Sequence, residues 1–474
     1  MEYLVTAVAV LLAWTCARFG IYFLSGTILI VSGILLYRIY YKRSGMLLDP
    51  AALFSIAWIG GMGVSALKLS RLQTDWELLT WICLTAAWFA FALGCRLEEQ
   101  RNKQREALMS EEKGRPTADP GTYSRTAGRI LNSILLLTAA ASACFLFEAW
   151  RLGYVPLFTV DTPHAYSYFH ISGVHYFTVS CVLVPSCLVL YIEMLKRHAA
   201  CLHEGNAALS GRDLFQKLWA LGYGGRMAGA FFCTGVSLLI PILCVSRFQL
   251  IFSVVLALFT KAALMGRFTP AGKRMLRAGA LFFACMVPVY VGLTVARAHD
   301  VAYLNGIFEM KDPRTPIFFT QPYMYIANNF DNLNCLIREL PGGGHTLGLR
   351  MLFPLWALTG LKFLFPELVS FPLYVTKTEL TTVTLFYDAY YDFGLAGVFV
   401  FGLLLGIVCR MVFDAVRRKK EAALILIYAQ LAFYLLFSFF TTWFSNPSTW
   451  FYLALSVLFY FYLAGRKGER SVSS

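Results

Sequence analysis

The sequence has little charge, and it lacks clustered cysteines and metal-binding motifs. Only 14% of its 474 residues are charged, against about 25% in an average soluble domain. Its 12 cysteines are scattered without a CxxC pair, so neither a zinc site nor a disulfide framework is expected. HxxxH and DxD clusters are absent, as is a glycine-rich loop with a P-loop lysine. These absences argue against a nucleotide-binding enzyme, and we expect no metal and no cofactor.

Long apolar runs dominate the chain instead. Hydrophobic residues make up 58% of it and its mean hydropathy is +0.61, which predicts an all-α, polytopic membrane protein of about twelve transmembrane helices. The first run lacks the basic start of a cleavable signal, so it is interpreted as a span, with fusion to the second around Arg18 as the alternative. The predicted spans are 3–17, 20–38, 51–69, 76–95, 130–150, 174–192, 228–244, 248–265, 278–296, 394–413, 422–440 and 448–464.

Basic residues indicate the orientation of these spans. Most of the 41 lysines and arginines lie between apolar runs, in clusters such as YRIYYKR, KRMLR and VRRKK. Because positively charged loops stay in the cytoplasm, the clusters predict that both termini are cytoplasmic. The formal net charge of +14 is therefore attributed to membrane topology, and no nucleic acid partner is expected.

This topology divides the chain into three parts. Residues 1–298 form N-terminal transmembrane helices with basic cytoplasmic loops, 299–391 form a large exported loop, and 392–474 form the C-terminal transmembrane helices. Within the loop, RMLFPLWALTGLKFLFPELVSFPLYV is apolar but interrupted by prolines and Lys362. Because a full span there would place VRRKK outside, we interpret it as a re-entrant or interfacial segment.

Arginines on the exported side give the strongest indication of a site. Arg247 lies between two apolar runs in PILCVSRFQLIF, and Arg297 ends another in GLTVARAHD. A guanidinium this close to hydrocarbon costs free energy unless it is paired or hydrated. Its planar group can donate two parallel hydrogen bonds to the oxygens of a phosphate. Alternatively, both side chains pair with nearby acids or extend to the interface. The exported loop adds Arg314, Arg338, Arg350 and Lys377.

The exported segment also contains candidate general bases. His345, in LPGGGHTLG, stands out because a glycine-rich turn lets a ligand approach closely. Glu379 and Asp392 are further candidates for the catalytic base, although any single acidic residue is more often a solvated part of the loop. The other candidates are His299, Asp300, Glu309, Asp312, Asp331, Glu339, Glu367 and Asp388.

The stretch YYDFGLAGVFVFGLLLG, residues 390–406, begins one of the predicted spans. Asp392 is predicted to cap the free N–H groups of its first helical turn. Its four glycines, at 394, 397, 402 and 406, predict a face for close helix packing.

Aromatic residues are dense on the exported side, in QPYMYIANNFDNL and LFYDAYYDF. Aromatic rings beside amide and hydroxyl groups can stack on a sugar ring and form hydrogen bonds with it. Tyr391 is the candidate among these residues for substrate binding. The alternative is an aromatic belt at the membrane interface.

Four stretches between Asp49 and Gly406 resemble, in the same order, the oligosaccharide repeat-unit polymerases of the O-antigen polymerase (Wzy) type. They are LLDPAALFSIAWIGG, SRFQLIF, YIANNFDNL and YYDFGLAGVFVFGLLLG. The resemblance implies a GT-C-like fold and an inverting, metal-independent glycosyltransferase. It would transfer a growing glycan from undecaprenyl diphosphate to the non-reducing end of an incoming lipid-linked repeat unit, at the outer face of the bacterial cytoplasmic (inner) membrane.

The implied partners are undecaprenyl-diphosphate-linked oligosaccharides, membrane lipid and a chain-length regulator protein. The resemblance also implies that exported arginines, here Arg247 and Arg297, hold the diphosphates, whereas the spacings around Arg314, Arg338 and Arg350 do not match the family cleanly. An O-antigen-type ligase and a transporter or flippase of lipid-linked sugars are the alternatives. A membrane O-acyltransferase, which would use a histidine embedded in the membrane, is disfavoured because none of the seven histidines lies mid-span.

Overall fold

Helices account for the regular structure of the chain. The structure is a computed structural model that describes residues 2–108, 120–159, 165–202, 211–265, 301–340 and 343–464. These ranges contain no β-strand, only an isolated bridge between Ser70 and Met310, which confirms the predicted all-α class. The α-helices are α1 (Glu2–Arg18), α2 (Tyr22–Ser44), α3 (Pro50–Ala66), α4 (Leu78–Leu108), α5 (Pro120–Leu152), α6 (Ala165–Tyr168), α7 (Val174–Val179), α8 (Val184–Cys201), α9 (Gly211–Ala220), α10 (Gly224–Leu243), α11 (Arg247–Met265), α12 (Val301–Phe308), α13 (Ile317–Glu339), α14 (Phe353–Leu358), α15 (Leu361–Leu364), α16 (Tyr387–Lys419), α17 (Ala422–Leu436) and α18 (Pro447–Ala464), with 3-10 helices at Pro156–Phe158, Ser180–Leu183, Pro366–Leu368 and Trp443–Ser445.

Eight helical segments in the described part are long and apolar enough to cross a membrane, as expected for a multi-pass membrane protein. They are α2, α4, α5, α7 joined to α8, α10, α11, α16 and α18. Three more predicted spans correspond to the shorter helices α1, α3 and α17, and the range 278–296 lies outside the described residues. Helices α1 and α2 are separate, with Gly20 in the left-handed region at φ +73°. The total of twelve spans stays a prediction.

The two short apolar helices α3 and α17 form the centre of the bundle, since most of their residues are buried. Such burial is typical of a helix that is hydrophobic on every side. On α3, Phe54 lies 5.5 Å from Trp58 and 4.3 Å from Phe91 of α4, between ring centroids. Trp58 in turn contacts Phe386, at the start of α16. This aromatic core positions the α16 terminus.

Glycines let α16 and α4 approach closely. A methyl group added at Gly406 would lie 2.2 Å from the carbonyl oxygen of Phe91, and one at Gly402 would lie 3.1 Å from that of Ala87. Gly94 of α4 is equally close to the backbone of Leu403. Close packing at Gly402 and Gly406 is therefore confirmed. It is the arrangement that small residues spaced four apart allow between membrane helices.

The apolar segment around Lys362 does not form a single helix. It contains α14, α15 and the 3-10 turn Pro366–Leu368, which have six, four and three residues. None is long enough to cross a bilayer, which needs about 20 residues. Phe363 and Leu364 are 64% and 72% exposed, and the interfacial or re-entrant placement of the segment stays a prediction.

Candidate functional site

A break in α16 creates the local geometry of the candidate site. Gly394 has φ +60° and ψ −147° inside the helix, a conformation that is essentially restricted to glycine. The Asp-Phe-Gly sequence therefore ends a short helical segment and starts the long one. The predicted capping role of Asp392 is wrong in its target, because its carboxylate accepts hydrogen bonds from another segment. The donors are the backbone N–H of Arg350 (3.2 Å), that of Met351 (2.8 Å) and the hydroxyl of Thr346.

Arg350 forms the charged centre of this region. Its Nε–H donates to Asp388 Oδ1 at 2.7 Å, and its guanidinium carbon lies 4.5 Å from the ring centroid of Tyr391 and 5.6 Å from that of Tyr387. Within the described residues its terminal nitrogens make no hydrogen bond, and the side chain is 17% exposed. Burial lowers the pKa of the guanidinium, but the charge of Asp388 raises that pKa above its ordinary value. Arg350 therefore stays positive with donors to spare.

His345 lies beside this centre and faces solvent. Its Nδ1 is 3.0 Å from the carbonyl oxygen of Tyr391. Because a carbonyl oxygen only accepts, Nδ1 carries a proton, and Nε2 is the ring nitrogen that accepts a hydrogen bond in the neutral form. The ring also touches the helix break, since a methyl group added at Gly394 would lie 3.3 Å from Cε1. The break thus positions an exposed imidazole that can accept a proton.

The hydroxyls of Tyr387 and Tyr391 form hydrogen bonds with the backbone of the preceding segment, residues 372–374. Tyr387 donates to the carbonyl of Tyr374 and accepts from its N–H, both at 2.9 Å, and Tyr391 donates to the carbonyl of Pro372 at 3.2 Å. These hydroxyls are therefore engaged in the fold, and the rings offer their faces to Arg350.

The structure brings together His345, Tyr391 and Asp392 with Arg350 and Asp388, which the sequence indicated only as members of two larger sets, the exported arginines and the candidate bases. We call these five residues the Arg350 cluster. The sequence carried a signal for Asp388: in YDAYYD, both the aspartates and two of the tyrosines repeat at i and i+4, which places them on one helix face. Arg350 had no comparable local signal, since Asp388 is 38 residues away.

Four other candidates have different surroundings. Lys377 bonds Glu309 at 2.8 Å and the last carbonyls of α12, so it caps that helix. Arg338 pairs with Glu339 at 2.7 Å on the surface, and this hydrogen bond raises the pKa of the guanidinium. Exposed Glu379 accepts from the hydroxyl of its neighbour Thr378. Exposed Arg314 continues a turn in which Asp312 accepts its backbone N–H. No hydrogen bond or ion pair joins these four to the Arg350 cluster in the described part of the chain.

Arg247 is buried as the first residue of α11. The next residue, Phe248, stacks on Phe440 and Trp443 at 5.2 and 5.5 Å. The 3-10 helix that starts at Trp443 also contacts α14, which follows Arg350. The 3-10 helix Trp443–Ser445 thus contacts both the start of α11 and the segment that follows Arg350. Arg297 lies outside the described residues.

Two asparagines of α13, Asn329 and Asn332, form hydrogen bonds with segments that are distant in sequence. Asn332 donates to the carbonyls of Leu380 and Thr382 and accepts from the N–H of Thr376. Asn329 bonds the carbonyl of Phe439 and the hydroxyl of Thr382. These amides fasten α13 to the segment 376–382 and to Phe439. The expected pairing of these amides with a sugar has no support in their geometry.

The described residues contain no group of three His, Cys, Asp or Glu side chains suited to a metal ion. Cys335 of α13 is buried and unpaired, and burial raises the pKa of its thiol to about 11. Comparison of the chain with protein-family models, with curated proteins and with solved structures finds no match in any of the three.

Proposed function

We propose that this protein polymerises lipid-linked oligosaccharide repeat units as a metal-independent, inverting glycosyltransferase. The proposal joins the Wzy-type resemblance to one observation. That observation is a permanently charged arginine with free donors, Arg350, beside an exposed imidazole, His345, at the terminus of a membrane helix. A cation and a base in one place suit displacement of a diphosphate by a hydroxyl group.

In the proposed reaction, a hydroxyl at the non-reducing end of the incoming repeat unit attacks the anomeric carbon of the growing glycan. A new C–O bond forms, the bond from that carbon to the oxygen of undecaprenyl diphosphate breaks, and the diphosphate leaves with the electron pair. Nε2 of His345 accepts the hydroxyl proton. Arg350 binds the diphosphate together with Arg247 and Arg297, since arginine pairs well with phosphate oxygens. His345 is preferred as the base because the Asp392 carboxylate is buried and already accepts three hydrogen bonds.

The test is deletion of the gene, complementation with variants and sizing of the surface glycan. Complementation with wild type should restore a ladder of chain lengths, whereas His345→Ala, Arg350→Gln, Arg247→Ala and Arg297→Ala should leave single repeat units. Arg71→Gln is the matched control, because this exposed arginine follows α3 in a loop on the same proposed side and does not contact the cluster. Each variant is compared at equal membrane abundance. A normal ladder from His345→Ala and Arg350→Gln would overturn the proposal.

The same experiment separates the alternatives. A ligase predicts full-length chains that stay on the lipid carrier while surface glycan disappears. A flippase predicts single lipid-linked units that are trapped on the cytoplasmic face and protected from an impermeant glycosidase. Polymerisation predicts single units that the glycosidase reaches.

A further inference from the structure

A second charged site lies at the opposite end of α16 from the Arg350 cluster. From Gly394 to Arg417 the helix rises about 35 Å. There a cleft that is partly open to solvent is lined by residues of α1, α2, α3, α4 and α16. We call it the Arg96–Arg417 cleft, after two of its four arginines, of which Arg43 and Arg410 are the others.

The acidic residues of the cleft are committed to the other two arginines. Buried Arg410 lies 3.1 Å from Asp414, 3.5 Å from Asp49 and 3.9 Å from Glu99. Asp49 also caps α3 by accepting from the N–H groups of its first turn. Arg43 pairs with Glu99 at 2.9 Å and with Glu2 at 3.6 Å. These contacts set four carboxylates against two guanidinium groups, and they form the floor and one wall of the cleft.

Arg96 and Arg417 lie over aromatic rings, as Arg410 does over Phe413 at 5.2 Å, but unlike Arg43 and Arg410 they form no ion pair within the described residues. The Arg96 guanidinium lies 5.8 Å from the ring centroid of Tyr3, and that of Arg417 lies 5.6 Å from that of Phe413. Both side chains are exposed, and no carboxylate of the described residues lies within ion-pair distance of either. A ring face orients a guanidinium without neutralising its charge. The cleft therefore presents two exposed cations on opposing helices, neither of them bound in an ion pair within the described residues.

The geometry points to a site for the phosphate of an anionic phospholipid headgroup. We propose that Arg96 and Arg417 bind the phosphodiester oxygens while the acyl chains lie along the exposed apolar surface of the helices.

Two features favour a lipid over other phosphates. The cleft lies at helix ends, next to the run Arg417–Lys420 and to Lys42 and Arg43, and basic loops of this kind mark the cytoplasmic leaflet. Basic pockets between transmembrane helices on that side suit anionic headgroups. The carboxylates of the floor disfavour a phosphate of higher charge, because it would bring more negative charge close to Glu2 and Glu99. This site depends on the proposed topology and is independent of the glycan chemistry.

Native mass spectrometry of the detergent-purified full chain tests the proposal, with phosphatidylglycerol and phosphatidylcholine of identical acyl chains as probes. We expect preferential retention of phosphatidylglycerol by wild type. Its affinity should fall about 5-fold in Arg96→Gln or Arg417→Gln and about 25-fold in the double variant, at about 1 kcal/mol per arginine. The matched control is Arg38→Gln with Arg105→Gln, two exposed arginines of α2 and α4 outside the cleft, and it should bind like wild type. Arg96→Lys with Arg417→Lys should recover part of the loss.

Three results would overturn the proposal. They are equal retention of both lipids, an equal loss in the control variant, and displacement of the lipid by millimolar inorganic phosphate, which would indicate a free-anion site. All are binding results, so they remain interpretable if the variants polymerise glycan normally or if the protein does not polymerise glycan at all.

Discussion

Two ion pairs of the same length have opposite surroundings in this protein. Lys68 Nζ and Asp331 Oδ1 are 2.7 Å apart, as are Arg350 Nε and Asp388 Oδ1. Asp331 also accepts from Gln73, Trp76 and Ser65, and the Lys68 side chain is 6% exposed. In the Arg350 cluster the cation keeps unused donors and an exposed imidazole beside it. An ion pair whose polar groups all have partners indicates a structural role, whereas an arginine with unused donors next to solvent indicates a role in binding or catalysis.

The Lys68 network joins distant parts of the chain. Tyr323 of α13 donates to Gln73 at 2.6 Å and accepts from the N–H of Leu69 at 2.9 Å, and burial raises the pKa of its hydroxyl. The loop between α3 and α4 is thereby fixed to α13. We expect this network to determine stability and the Arg350 cluster to determine activity, and four predictions test that division.

The largest effect is expected from Asp331→Ala. The substitution leaves the Lys68 ammonium buried without its partner, which costs about 3–5 kcal/mol. Thermal unfolding in detergent should show a clear loss of apparent Tm, and less protein should reach the membrane. Glu367→Ala, at an exposed residue, is the control. Partial recovery in Asp331→Ala with Lys68→Met would attribute the loss to the unpaired charge, and an unchanged Tm in Asp331→Ala would contradict the structural role.

The next effect concerns function. Arg350→Gln combined with Asp388→Asn removes both charges together, so no uncompensated ion is left. Chain growth should fall about 100-fold, as when one preorganised electrostatic donor is lost, while Tm should change less than in Asp331→Ala. Glycan sizing and Tm measured on the same membranes give both values. A large fall in Tm with unchanged chain growth would contradict the division, because it would assign stability and not activity to the Arg350 cluster.

Gly394→Ala should have an intermediate effect. An alanine at φ +60°, ψ −147° is strained by about 1–3 kcal/mol, and its methyl group would crowd His345. Because the ring is displaced, chain growth should fall more than stability does. The control is Gly235→Ala in α10, where a methyl group has no neighbour within 4 Å and should stabilise by about 0.5–1 kcal/mol. Equal behaviour of the two variants would show that the helix break is dispensable.

The smallest effects compare one hydroxyl from each region. Thr346→Val removes a donor to Asp392, and Ser65→Ala removes one to Asp331; each should cost about 1 kcal/mol. Equilibrium unfolding should give similar losses for both. Only Thr346→Val should also reduce chain growth, because it loosens the loop that carries His345 and Arg350. An equal reduction of chain growth in Ser65→Ala would contradict the assignment of activity to the Arg350 cluster alone.

Several features were predictable because they depend on local composition. Apolar runs predicted the long helices, and Gly402 and Gly406 predicted a face for close helix packing, which the structure shows against α4. Predictions that depended on partners fared less well. Asp392 was expected to bond its own helix but bonds residues 346–351, because the Gly394 break turns its carboxylate toward that loop.

The sequence by itself determined where the chain is helical, since hydrophobicity and glycine spacing act over a few turns of one helix. Only the tertiary structure decided which charges meet. Asp331 finds Lys68 across 263 residues and Arg350 finds Asp388 across 38. A buried charge must be paired, but its partner is chosen by the packing of helices that are remote in sequence. For that reason the same residue types became a closed structural network in one place and an accessible candidate site in another.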